Sequence, residues 1–242
     1  MQSITASRLQ NQKIAGAQES AADLVRYMTA MQGQDYYGAL WAIGLRTDLT
    51  EKEVITAVET AEIIRTWPHR GTLHYVTPED AYWMVRLSGP KLINGASARR
   101  NNLALSIEVL EQAKAVFAEA LKGGKRLTRP QMLSALEAAG ISTANNRSYH
   151  ILWYAAQTGL TYIGPMEGKQ QTFGLLSDLK FTPRDLDREE AILELTTRYF
   201  TSHGPATVQD FMWWSGLTSS EVKAALAKSG LQIGRASCRE RV

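Results

Sequence analysis

One pattern of elements recurs along this chain of 242 residues, and it leaves few folds open. Ser20 is placed to cap a helix over residues 21–31, with Leu24, Val25, Met28 and Met31 on one face. A second helix is predicted over 37–45. Thr50 and Glu53 form a capping box ahead of a third, whose apolar stripe is Val54, Ile55 and Val58. The period then changes. Residues 63–67 and 72–76 are β-branched and aromatic, and they flank Pro68-His69-Arg70-Gly71, the pattern of a hairpin. Three short helices and a hairpin is the element order of a winged helix.

The order then repeats. Ser106 caps a predicted helix to Leu121, the stretch 122–126 breaks it, and Thr128 with Pro130 opens another that Gly140 stops. A helix over 145–157 and strands over 160–163 and 171–175 complete the second copy. A third begins near Asp187, with helices to Ser202, after Thr207 and over 219–228, the last capped by Thr218 with Glu221. The expected fold is mainly α with short β-hairpins, built of tandem winged-helix (helix-turn-helix) units. The units are residues 1–95 (with an N-terminal extension), 96–180 and a partial third over 181–232. A third unit without its hairpin predicts exposed apolar surface near residues 211–217. Trp67, Trp83, Trp153, Trp213 and Trp214 stand among apolar neighbours and read as core.

Residues 233–242 look foreign to this pattern and resemble the translation of a sequencing adapter, so a non-native tail is expected there. It holds Cys238, the one cysteine, and without its three Arg and one Glu the net charge falls from +3 to +1. Thiol chemistry is then excluded from the remainder. With 44% apolar and 21% charged residues the chain can bury a core. No apolar run approaches the ~18 residues of a membrane span, and residues 1–16 lack the apolar stretch of a secretory signal. A cytoplasmic protein without membrane contact is expected.

Charge is unevenly placed. Between Arg86 and His150 ten basic residues stand against four acidic ones, whereas residues 178–194 are acid-rich. Such a basic stretch suits phosphate contact. Candidate DNA contacts are Arg65, His69, Arg70 and His74 in the first hairpin, then Arg99, Arg100, Lys125, Arg126 and Arg129, and Asn146 with Arg147 at a helix start. The plainer role for Arg70 and His74 is to tie the hairpin to its own domain. Glu51, Glu53 and Glu59 make the first unit's third helix a poor occupant of a DNA groove. Non-equivalent units also exclude the two-fold symmetry of a dimeric repressor.

Gln32-Gly33-Gln34 lies between the first two helices, and two side chains at that spacing on extended backbone point the same way. Their plainer role is to satisfy backbone groups of their own loop. Here the sequence resembles the AlkZ-type DNA glycosylases, tandem winged-helix proteins acting on alkylated and crosslinked DNA, whose hallmark is a Gln-aliphatic-Gln catalytic motif. The segments 4–12, 65–74 and 203–217 carry the resemblance further, and it covers essentially residues 4–232. Gly33 departs from the motif's aliphatic residue, and glycine loosens backbone. The resemblance implies Gln32 and Gln34 as catalytic residues of a monofunctional glycosylase that cleaves the bond between deoxyribose and an alkylated or crosslinked purine. Asp35 is left a supporting part. The four histidines have no metal-ligand spacing and no lysine stands out as a Schiff-base nucleophile, so neither metal nor cofactor is expected. The expected partner is damaged double-stranded DNA, bound by a monomer at the nucleoid. The alternative is a non-enzymatic winged-helix DNA-binding protein or transcriptional regulator.

Overall fold

The computed structural model describes residues 3–14 and 19–231; the tail expected to be non-native lies outside them. The protein is mainly helical with one small antiparallel sheet. Helix α1 (Ile4–Asn11) precedes α2 (Ala21–Met28), strand β1 (Met31–Gln32), α3 (Tyr36–Thr47) and α4 (Glu51–Glu59). The first hairpin is β2 (Ile64–His69) and β3 (Thr72–Val76), followed by α5 (Pro78–Gly95), α6 (Ser97–Asn102) and α7 (Ile107–Leu121). Strand β4 (Leu127–Thr128), α8 (Arg129–Ala138) and α9 (Arg147–Gln157) lead to the second hairpin, β5 (Thr161–Glu167) and β6 (Gln170–Leu175). Helices α10 (Arg188–His203), α11 (Val208–Ser215) and α12 (Ser219–Lys228) complete the described chain.

Local chemistry sets most of these boundaries. Thr50 accepts from the Glu53 backbone while the Glu53 carboxylate accepts from the Thr50 N–H, and Thr218 with Glu221 does the same for α12. One expected helix is shorter than its apolar pattern. Residue Thr29 takes φ 72°, which halts α2 at Met28, so Met31 becomes extended instead of helical and joins Gln32, expected as extended, in β1. Helices α1, α5 and α6 have no counterpart in the sequence-based expectation.

The two hairpins belong to one sheet. Arg65 of β2 pairs with Ile163 of β5, giving the strand order β1-β3-β2-β5-β6-β4. Three groups of buried side chains meet on the first hairpin. Trp67 and Leu73 pack with Phe117, Met132 and Trp153; Ile64 and Val76 with Trp83, Leu195 and Phe211; Ile63 and Tyr75 with Leu24, Ile43 and Val54. Each large side chain so enclosed contributes on the order of 2 kcal/mol. Helix α5 reaches α9 because Gly89 has no Cβ; one there would stand 2.5 Å from the Gln157 carbonyl oxygen. Its first turn is locked to α10. Asp80 accepts from Trp83 Nε1 (2.8 Å), Arg184 (3.0 Å) and Arg198. Burial pushes the Asp80 carboxyl up, but Arg198, Trp83 and Arg184 outweigh it and hold the group below its usual range.

The stretch 211–217 meets the expectation of exposed apolar surface at a single side chain and corrects the reading of Trp213 as core. Phe211, Ser215 and Leu217 are buried and Phe211 packs on Tyr199 and Trp214; it is Trp213, read from sequence as core, that stands 67% exposed.

Candidate functional site

The turn at Thr29 delivers the chain to the sheet edge, where β1 pairs with β3 as Met31 opposite Tyr75 and Gln32 opposite His74. The Gly33 N–H donates to the Leu73 carbonyl at 2.8 Å. The return bond comes from an unusual acceptor: the Leu73 N–H donates to Gln34 Oε1 at 3.0 Å. A side-chain carbonyl thus extends the ladder one residue past the strand. Because Leu73 supplies the proton, the contacting Gln34 atom must be the oxygen, and the amide NH2 is the end left free. Gln32 is exposed and makes no hydrogen bond to a described residue. Both glutamines are therefore at the surface, with their backbone fixed. Gln34 satisfies a backbone group of β3 and not of its own loop, and the Gln32 side chain satisfies none.

Gly33 points the opposite way, into the protein. A Cβ there would meet Arg65 Cδ and Tyr75 Cδ2, each at 3.3 Å, and the His74 carbonyl carbon at 3.5 Å. The expected loosening by glycine is absent. The space an aliphatic side chain would need is filled by the Arg65 stem and the Tyr75 ring, and the segment is held by ladder bonds.

Three of the expected phosphate contacts are corrected by burial. Arg65 is 1% exposed, with its guanidinium 5.1 Å from the Tyr36 ring centre and 5.7 Å from that of Tyr75. Its Nη2 reaches Met166 Sδ at 3.5 Å and its Nε has no partner. Burial lowers its pKa, and no carboxylate offsets this. The hairpin that sequence places at the surface is covered by the second hairpin on one side and α11 on the other. His69 is 2% exposed and His74 4%. The His69 ring lies 4.4 Å from Trp214 and 5.0 Å from His74. Burial drives His69 well below its usual pKa, and it brings His74 down to about 4 with Arg70 adding to the effect. Both rings are neutral at pH 7 and cannot act as phosphate-binding cations.

The other candidates separate into two groups. Arg100 donates to the Ile93 carbonyl, Arg126 to Tyr162 Oη (3.2 Å) and the Glu59 carbonyl (3.1 Å), and Arg147 to the carbonyls of Ser142 (2.8 Å), Leu103 and Ala104. These three tie the protein to itself. Arg70, Arg99, Lys125 and Asn146 are exposed, and Arg129 is half-buried at the start of α8. Arg70 sits on the hairpin turn against Gly216 and borders a cavity of about 410 Å³ shared with Lys91, Arg188 and Glu221.

Two aromatic side chains beside the glutamines went unremarked in the sequence. Tyr37 is 71% exposed and Trp41 70%. Tyr37 and Trp41 are spaced i, i+4 and share the exposed face of α3, a helix that begins two residues after Gln34, while Ala39, Leu40 and Ile43 take the core face. That spacing was the available signal. Asp35 caps α3 without a side-chain bond to its backbone, and its carboxylate lies against Gly38. Among the described residues no cluster of three or more His, Cys, Asp or Glu is arranged for a metal, and no helix is long and apolar enough to cross a membrane.

Known proteins are similar to this chain. The family model described as DNA glycosylase AlkZ-like matches residues 25–233. An interstrand DNA cross-link repair glycosylase from Streptomyces sahachiroi is 26% identical over 217 residues, which is 84% of this chain and 57% of the relative. The solved structure of Streptomyces sahachiroi DNA glycosylase AlkZ aligns with a TM-score of 0.70 at 22% identity, over 92% of this chain and 63% of that one. The likeness of the structures is one of fold. The chain spans about six-tenths of the length of these two proteins.

Proposed function

Because this chain belongs to the DNA glycosylase AlkZ-like family, we propose that it hydrolyses the N-glycosidic bond of alkylated purines in double-stranded DNA, crosslinked purines included, with Gln32 and Gln34 as its catalytic residues. Alkylation at N7 or N3 makes the purine cationic. As the bond from C1′ to the base breaks, the base takes the bonding pair and leaves neutral, and the positive charge passes to an oxocarbenium-like sugar. Such a leaving group needs no strong acid. What the reaction needs is an oriented water and dipoles aimed at the sugar. The observation that carries this reading is the pair of exposed neutral amides on an edge segment whose backbone is pinned to β3. Gln32 has its carbonyl free to accept from the water and to face the cation. Gln34, its carbonyl committed to Leu73, has its NH2 free to donate to the water oxygen.

Exposed Tyr37 and Trp41 supply π faces for an unstacked base next to the amides. Arg70, Arg99, Lys125, Arg129 and Asn146 are the side chains positioned for phosphates. The repeated order of helices and hairpins supports tandem winged-helix units, working as a monomer on DNA in the cytoplasm. The test is release of 7-methylguanine from an alkylated duplex under single-turnover conditions. Gln32→Ala and Gln34→Ala should each slow release by ~10²–10³, the usual effect of removing one such dipole. Undiminished release by the double variant overturns the assignment of roles, and salt-dependent duplex binding without any release favours a non-enzymatic DNA-binding protein.

A further inference from the structure

We infer that His74 accepts the proton of the attacking water, beside Gln32. The inference rests on the glutamine reading above and follows from how β1 meets β3. Backbone bonding there runs through Gly33 and Leu73, which makes Gln32 and His74 a directly opposed pair outside the bonded rungs. Side chains of such a pair project from the same face with Cβ atoms ~5 Å apart. The imidazole next to Gln32 is also fixed in its proton arrangement. Nδ1 lies 2.9 Å from the Thr72 carbonyl oxygen, which can only accept, so Nδ1 carries the hydrogen and Nε2 the lone pair. Nε2 makes no hydrogen bond to a described residue, and unlike His69 Nε2 it is not sealed from solvent.

The chemistry suits a weak base. When water adds to C1′ the new oxygen is positively charged and strongly acidic, so a feebly basic nitrogen is enough to take its proton. Until that proton is lost the addition can reverse and the sugar can recapture the departing base with its electron pair; transfer to Nε2 completes the C1′–O bond and commits the base to release, and the imidazolium then passes the proton to solvent. A neutral acceptor also avoids drawing the cationic lesion into an unreactive ion pair. The groups facing His74 favour this cycle: the neutral His69 ring from β2, Arg70 at the turn, Gln32 from β1, and Trp214 of α11 behind His69. Arg70 opposes a lasting charge on the ring, so the proton does not stay.

His74→Asn tests this, since its side-chain NH2 preserves the donor to Thr72 while removing Nε2. Single-turnover release from 7-methylguanine duplex should fall ~10²–10³-fold, with affinity for a duplex holding an abasic-site analogue within about threefold of the parent. In His74→Ala, added imidazole should restore release in proportion to its neutral fraction. Parental release in either variant, a loss without imidazole rescue, or a loss of affinity matching the loss of rate would each overturn a proton-accepting role. Slow Gln32→Ala with parental His74→Asn defeats the histidine alone. Parental Gln32→Ala with slow His74→Asn defeats the glutamine reading, and a parent that releases no base defeats both.

Discussion

Take the protein without DNA from pH 7 to pH 5. His74 and His203 are each held at about 4 by burial, against 6.5 for an ordinary histidine, and burial also pushes His69 well below its usual range. The folded state therefore binds these protons less readily than the unfolded chain. Stability from the neutral rings is complete above pH 6.5 and is lost as pH falls toward 4. At pH 5 the unfolded chain is mostly protonated at these positions and the folded one mostly not, so each histidine costs about 2 kcal/mol relative to pH 7. His74 and His203 together remove about 4 kcal/mol from a fold whose total is on the order of 5–15 kcal/mol, and His69 adds to that. Depressed carboxyls do not obscure the window. Glu221, with its partners Thr218 and Arg188 overcoming burial to hold it at about 2, loses its contribution only below about pH 4.5. Urea denaturation at pH 7, 6 and 5 should show the midpoint falling steeply while the slope with denaturant stays constant. NMR titration should leave the rings of His69, His74 and His203 neutral at pH 5. A midpoint unchanged between pH 7 and 5, or three rings titrating near 6.5, refutes the reasoning.

Two other outcomes follow from the structure. Asp80→Ala removes the carboxylate between Trp83, Arg184 and Arg198 and should cost ~3–5 kcal/mol in chemical denaturation, because it strands partly buried guanidinium groups; a loss below 1 kcal/mol would show that the network carries no such load. Tyr37→Ala with Trp41→Ala removes exposed rings and should leave the melting temperature within about 2 °C while weakening binding to a duplex holding an uncleavable alkylpurine analogue by ~1–3 kcal/mol per ring, and parental affinity would exclude them from the DNA face.

What the sequence made legible was local. Thr50 with Glu53 and Thr218 with Glu221 signal their helices within four residues, and the hairpins announce themselves by a change of period. What it hid depends on partners far along the chain. Arg65, His69 and His74 read as a basic hairpin facing solvent, yet β5 and α11 close over them. Helix α5 was invisible because Pro90 lies inside it and its buried residues face several neighbours instead of one stripe. The glutamines stood out only by resemblance, since a two-residue strand has no periodicity to detect. Trp213 and Trp214 are adjacent and equally apolar, and only packing sends one outward and the other onto His69.

The Gln34 bond to Leu73 makes the site sensitive to chain length. Sheet side chains alternate, so deleting or inserting one residue between Thr29 and Asp35 would turn both amides inward and push a glycine out. Many substitutions can be absorbed around this edge, but a gain or loss of a single codon there cannot, so natural variation in this segment should consist of exchanges and never of indels.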